Sequence, residues 1–185
     1  MMFCLKCGTA TAVRIPAGDN RLREVCPACD FIYYDNPKVL AACILFHEDK
    51  VLWIKRATEP YAGRWAMPAG YVEKDETVEQ AAARELLEET RLVLPAERLC
   101  LYSVASLPDI NQIYVSLIAP LPSMDFGITP ECVDIKLAAE SDIPMADFAY
   151  PHGTEEAIRL LYRRVRNGHA MKVPGKFRDA GSPSV

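Results

Sequence analysis

The 185-residue chain has no apolar run approaching the roughly 18 residues that a membrane-spanning helix needs. Nor does it carry an excess of positive charge. Its 21 Lys and Arg stand against 25 Asp and Glu, a formal net charge of -4, so no broad basic field is available to hold nucleic acid or an anionic membrane. A phosphorylated substrate would need local cations. The opening MMFCLKCGTA lacks the charged start, apolar stretch and small-residue cleavage pattern of a signal peptide. The expectation is a cytoplasmic protein with neither a membrane nor a nucleic-acid partner. A disulfide scaffold is also disfavoured, because the seven cysteines are odd in number and four of them form two C-x2-C pairs. That pattern suits metal thiolates in a reducing compartment. The length allows one good core with at most a small satellite.

Those cysteines are the first positive signal. Cys4-Leu5-Lys6-Cys7 and Cys26-Pro27-Ala28-Cys29 are two knuckles with 18 residues between Cys7 and Cys26, a spacing that lets four thiolates close tetrahedrally around one Zn2+. A redox pair or an iron site is the alternative. So short a segment buries too little apolar surface to fold by itself, so the ion would supply its folding energy and act structurally. Lys6, Arg14, Arg21 and Arg23 are offset by Asp19, Glu24 and Asp30, which leaves no basic stripe for nucleic acid. The expected organisation is this module over residues 1–34, a main domain over 35–170 entered through the turn-rich YYDNP at 33–37, and a loose polar tail over 171–185.

In the main body, residues 38–46 and 51–55 read as a β-hairpin. Residues 60–68 read as a loop. Residues 77–90, free of Gly and Pro and rich in Ala, Leu and Glu, read as a helix. Residues 99–107 and 113–119 read as strands split by the Pro108-Asp109 turn, and 133–138 as one more short strand. Thr154 is placed to cap a last helix in which Ile158, Leu161, Tyr162 and Val165 share a face, with Gly168 as its stop. Cys43 falls in an apolar strand as a small core residue, and His47, His152 and His169 lack any spacing that suggests chemistry. Strands on both sides of a central helix, closed by a second helix, predict an α/β fold: an α/β/α sandwich around a mixed sheet.

The central helix carries an electrostatic cost. Glu85, Glu88 and Glu89 fall at i, i+3 and i+4 on one arc of about 100 degrees, with Ala83, Leu86 and Leu87 expected on the core side. Like charges so placed destabilise an isolated helix by about 0.3 kcal/mol per pair. A divalent cation reverses that sign, since Mg2+ or Mn2+ takes clustered carboxylate and phosphate oxygens. A plain solvated glutamate face is the simpler alternative.

The wider spacing decides against the simpler alternative. Gly70, Glu76, the run Arg84-Glu85-Leu86-Leu87-Glu88-Glu89 and Leu92 match G-x5-E-x7-R-E-U-x-E-E-x-G-U, with U aliphatic. By chance the charged and glycine positions would recur on the order of once in 10^5 chains of this length. The chain thus resembles a Nudix hydrolase from about residue 36 to 166, preceded by a zinc ribbon. One position departs, since Arg91 stands where the family has glycine. A left-handed backbone there would cost a non-glycine residue roughly 1 to 2 kcal/mol.

The resemblance implies metal-dependent cleavage of a pyrophosphate. Glu85, Glu88 and Glu89 match the family's Mg2+ or Mn2+ ligands, and the carbonyl of Ala69 a backbone ligand. Arg84 matches the residue that holds those carboxylates, and Glu76 one that supports the loop before the helix. Glu89 and Glu131 are the candidates for the general base; Glu131, in TPECVDIKL, reads equally as a solvated loop glutamate. Tyr61, Arg64 and Trp65, in the loop ahead of the box, are placed to stack on an adenine or grip a phosphate, although Trp65 could instead close the core. Tyr114 reads as sheet packing.

NADH pyrophosphatases with zinc ribbons carry a Ser-Gln-Pro-Trp-Pro-Phe-Pro run after the box, which LYSVASLPDINQIYVSLIAPL lacks. Phe3-Cys4, Tyr34-Asp35-Asn36-Pro37-Lys38 and Gln112-Ile113-Tyr114-Val115 look closer to a zinc-ribbon subgroup that includes plant FAD pyrophosphatases. FAD or ADP-ribose is therefore the expected substrate, giving AMP plus FMN or ribose 5-phosphate. A Nudix-fold sensor that binds ADP-ribose or a dinucleotide without turnover is the alternative from another class, and NADH the alternative substrate. By analogy with relatives acting on dinucleotides, a homodimer is expected.

Overall fold

The computed structural model describes residues 2–143, 145–149 and 154–171. The chain divides between Pro37 and Lys38 into two compact units. The first holds three short strands, β1 (Ala12–Arg14), β2 (Arg23–Val25) and β3 (Ile32–Tyr33), paired antiparallel in that order. Each cysteine knuckle is a tight turn. Cys4 O accepts the Gly8 N–H at 2.9 Å and Cys26 O the Asp30 N–H at 3.0 Å, with Gly8 and Asp30 left-handed at φ 74° and 53°. The buried side chains of this unit are Cys4, Pro16, Val25 and Cys26. Phe3, Leu5, Val13, Ile15 and Leu22 are all more than half exposed, so apolar burial alone does not hold it together.

The second unit contains β4 (Lys38–His47), β5 (Lys50–Arg56), β6 (Trp65–Ala66), β7 (Ala69–Tyr71), α1 (Val78–Thr90), β8 (Cys100–Leu107), β9 (Gln112–Pro120), β10 (Cys132–Ala138) and α2 (Thr154–Arg166). Its sheet runs β10-β5-β4-β9-β8, with β6 added to β5 and β7 to β4. The β4–β9 pair is parallel, from Lys38 opposite Gln112 to Phe46 opposite Pro120, and the other pairs are antiparallel. The sheet is mixed, as expected. Alternation along β4 and β5 sends Ala41, Cys43, Leu45 and Leu52 to one face, where they meet Ala81, Ala82 and Leu86 of α1. Ile44, Val51 and Trp53 go to the other face and meet Ile158, Leu161, Tyr162 and Val165 of α2. Two helices on opposite faces of one sheet make the α/β/α sandwich. The second layer is bolted by polar contacts: Trp53 Nε1 donates to Tyr162 Oη at 2.8 Å, and Tyr162 Oη donates to Ala138 O at 2.8 Å.

The expected hairpin forms, with Phe46 opposite Val51 and His47 opposite Lys50 around a left-handed Glu48. Helix α1 starts where its sequence dictates. Thr77 accepts the Gln80 N–H and the Gln80 side chain accepts the Thr77 N–H, a reciprocal capping box. Four expectations need correction or lie out of reach. The 60–68 loop contains β6, because Trp65 and Ala66 pair with Lys55 and Ile54. Leu87 faces solvent at 47% exposure, not the core. It sits about 100 degrees past Leu86 on the helix, and the buried face runs instead through Ala82, Leu86, Glu89 and Thr90. The expected Thr154 cap concerns a side chain outside the described residues, although α2 does begin there and ends before a left-handed Gly168. The loose tail expected over 171–185 lies, apart from Met171, outside the described residues.

Candidate active site and metal centre

The smaller unit gathers the four cysteine sulfurs within 4.8 Å of one another. Cys4 Sγ is 3.7 Å from Cys29 Sγ, and Cys7 Sγ is 3.5 Å from Cys26 Sγ. For Zn–S bonds of about 2.3 Å the edge of a tetrahedron is about 3.8 Å, so the sulfur spacing fits Zn2+ and exceeds by far the roughly 2 Å of a disulfide. All seven cysteines are unbridged. Cys43, on β4, is a core residue whose thiol burial pushes up to about 12.

In the larger unit, the site forms where α1 packs over β7. Arg84 is its hub. Its Nε and Nη2 donate to Glu76 Oε2 and Oε1 at 3.1 and 2.8 Å, and Nη1 donates to Glu85 Oε1 at 2.7 Å and Glu88 Oε2 at 3.1 Å. Nη2 also reaches Tyr71 O at 3.1 Å. The fork on Glu76 is bidentate, which fixes direction as well as strength. The same glutamate accepts the Glu73 N–H at 2.7 Å, so it pins the 71–76 loop to the helix. The Arg84 hydrogen bonds hold the Glu76 carboxyl below the usual range, and Glu76 first, then Glu85, raise Arg84 above its usual value.

Glu89 is the outlier. It is only 4% exposed, and burial pushes its carboxyl up to about 8, with Glu85 and Glu131 adding like-charge repulsion. One backbone donor partly offsets this, the Ala69 N–H at 2.9 Å from Oε2. Register explains why that N–H is available. In the β4–β7 pair the ladder bonds fall on neighbours such as Cys43 N–H to Pro68 O, at 2.8 Å, so Ala69 turns its own N–H and C=O away from β4. Glu85 is raised as well, burial again first. Gly70 lies so close beneath it that a Cβ would stand 2.0 Å from Glu85 Oε1. A side chain at this position would have to push the Glu85 carboxylate aside. Glu85 and Glu88 share Arg84 Nη1, and Glu89 is a buried acid that burial drives towards protonation; carboxylate oxygens of this kind are what a hard divalent cation takes as ligands.

The remaining candidates separate. Glu131, in the turn just before β10, is exposed, yet its charge acts on both Glu85 and Glu89. The loop that carries it is tied down by Ala57 N–H to Glu131 O at 2.9 Å and Glu131 N–H to Thr129 Oγ1 at 3.3 Å. Trp65 belongs to the core, 9% exposed with Trp53 and Phe148 in its cluster. Arg64 donates to Ala146 O at 2.9 Å and pairs with Asp147 at 3.4 Å, so its guanidinium is occupied locally. Tyr61 is exposed, on a left-handed backbone at φ 70°. Sequence reasoning missed Arg56, the last residue of β5. Its charge counteracts the upward shift of Glu89, and its Nε donates to Pro60 O at 3.0 Å. Its position at the strand end before a loop was the available signal.

Residues 37–120 match the NUDIX domain family and residues 2–35 the Nudix N-terminal zinc-ribbon family. A crystal structure of a NUDIX hydrolase from Nitrosomonas europaea is 40% identical, covering 91% of this chain and 94% of that one, with a TM-score of 0.82. This chain belongs to the Nudix hydrolase family. Among curated relatives, the ADP-ribose pyrophosphatase of Methanocaldococcus jannaschii is 42% identical over 76 residues, which is 41% of this chain and 44% of that protein. The NAD-capped RNA hydrolase NudC of Edwardsiella ictaluri is 36% identical over 92 residues, 49% of this chain and 33% of that protein. The matched region thus spans less than half the length of these curated relatives. No helix among the described residues is long and apolar enough to cross a membrane.

Proposed function

We propose that the chain is a metal-dependent pyrophosphohydrolase that cleaves the diphosphate of an adenosine diphosphate joined to a second group. ADP-ribose and FAD are the favoured substrates, giving AMP plus ribose 5-phosphate or FMN. The observation that carries this reading is the set of helix glutamates against the Ala69-Gly70 backbone, Glu85 and Glu88 held by Arg84 and Glu89 by the Ala69 N–H. The likeness to an ADP-ribose pyrophosphatase supports the substrate class. Glu85, Glu88, Glu89 and the Ala69 carbonyl would hold Mg2+ or Mn2+. When bound, such an ion supplies charge neutralisation of the diphosphate and a more acidic water.

The chain's own groups then divide the work. Arg84 and Glu76 keep the carboxylates oriented. Glu131, beside Glu85 and Glu89 but outside the buried set, takes the proton of the attacking water; Glu89 is the second candidate, already engaged by Ala69. Arg56 offers its terminal nitrogens to a phosphate oxygen, and Tyr61 offers a face to the adenine. Arg64 and Trp65, committed to Ala146 and to the core, contribute by holding the loop that carries Tyr61. In the smaller unit, residues 1–34 form a structural zinc module through Cys4, Cys7, Cys26 and Cys29. A cytoplasmic setting fits seven unbridged thiols, and a homodimer would show as a doubled mass in sedimentation.

The test is incubation with Mg2+ or Mn2+ and a panel of ADP-ribose, FAD, NADH and nucleoside triphosphates, with products separated by chromatography. AMP with ribose 5-phosphate or FMN is expected. Binding across the panel without cleavage would overturn hydrolysis in favour of a sensor.

A further inference from the structure

Arg91 ends α1 in the left-handed conformation, at φ 66° and ψ 4°, with its N–H on Leu87 O at 2.9 Å. The conformation costs a side-chain-bearing residue free energy that glycine would avoid. An arginine kept there needs a compensating contact, and the contact is visible. Arg91 Cδ, Nη1 and Nε lie 3.5, 3.7 and 3.8 Å from where a Cβ would stand on Gly127, the three nearest atoms to that position. The arginine therefore lies across the backbone at Gly127.

Gly127 opens a segment that is laced to the end of α1. Its N–H donates to Thr90 O at 3.0 Å, and Thr129 Oγ1 donates to Glu89 O at 3.4 Å, so two carbonyls that the helix end leaves unpaired are capped by this segment. Thr129 and Cys132 exchange backbone hydrogen bonds at 3.2 Å, and Glu131 N–H meets Thr129 Oγ1. The chain from Gly127 to Glu131 is thus a strap across the end of the glutamate helix, and the Arg91 side chain lies alongside its first residue. A cation at a helix C-terminus is also favoured by the helix dipole, and α1 has no basic residue in its last turn.

We propose that Arg91 is a positioning residue: by clasping Gly127 it fixes the 127–131 strap on α1 and so sets where the Glu131 carboxylate stands beside Glu85 and Glu89. This rests on the assignment of Glu131 to the reaction made above. Arg91 itself touches no reacting atom.

The experiment compares Arg91→Gly, Arg91→Lys and Glu131→Gln with the full-length parent. Glycine fits the left-handed site, so Arg91→Gly should melt at or above the parent temperature and remain folded. Its kcat should nevertheless fall about tenfold with KM within about twofold, as a misplaced group predicts. Amide exchange over 127–131, followed without divalent cation, should quicken several-fold. Arg91→Lys, which keeps the stem and the charge, should recover most of both. Parental exchange and kcat in Arg91→Gly would overturn the proposal while leaving the pyrophosphatase reading intact. Parental kcat in Glu131→Gln would overturn it by removing the group being positioned, and Glu89→Gln would then test the wider reading separately.

Discussion

The two units gather ligands by opposite means. In the smaller one, four sulfurs converge within 4.8 Å although almost no apolar surface is buried around them. In the larger one, a close-packed sandwich holds three glutamates that repel one another, and an arginine and a backbone N–H keep them in place. An ion in the first site would substitute for a core. An ion in the second would relieve a tension that the core can bear. The lesson is that ligand convergence says little about function until one asks which partner, the ion or the fold, is stabilising the other.

Removing the ions one at a time should sharpen that contrast most. Stripping Zn2+ from the full chain should unfold residues 1–37, since structural zinc supplies on the order of 10 kcal/mol to such modules. Loss of protection against exchange in that segment is the readout, and hydrolysis should survive once Mg2+ is restored. Next in size, Glu89→Gln should lower turnover by about 10^3-fold, about 4 kcal/mol of transition-state stabilisation, without lowering the melting temperature. Parental rates in that variant would break the assignment. Gly70→Ala should follow, at about 10^2-fold, because the new methyl would displace the Glu85 carboxylate; the Mg2+ concentration needed for half-maximal rate should rise with it.

The smallest effect is in pH. Glu89 has its folded value raised from the usual 4.5 to about 8 by burial. The stability this group contributes is therefore fully present below about 4.5 and is lost as pH climbs through about 8. Ion-free protein should melt at falling temperature across that window. Glu89→Gln should flatten the curve, and Mg2+ binding near neutrality should release close to one proton, measurable by calorimetry in two buffers.

Much of this architecture was legible because it is local. The α1 boundaries follow from the Thr77–Gln80 box and an uninterrupted run without Gly or Pro, and the α2 face from Ile158, Leu161, Tyr162 and Val165. The box spacing singled out Glu85, Glu88 and Glu89, which the fold holds beside Arg84 and Ala69. What escaped depends on contacts distant in sequence. Trp65, open in the sequence between ligand contact and core, is core because β6 pairs with β5 and brings it into the cluster of Trp53 and Phe148. Leu87 was misplaced because the buried stripe of α1 includes a glutamate, which an apolar pattern cannot show. Arg56 went unnoticed because its strand-end position, the one local signal, does not say that this end will come up near Glu89.

The parallel pairing of β4 with β9 has a consequence for how the molecule assembles. Lys38 cannot meet Gln112 until everything between them has been synthesised, whereas the β4–β5 hairpin and α1 precede that point. The glutamate helix therefore emerges from the ribosome before the middle of its sheet can close, and long-range closure is the slow step of such topologies. During that interval the α1 carboxylates stay wet and mutually repelling.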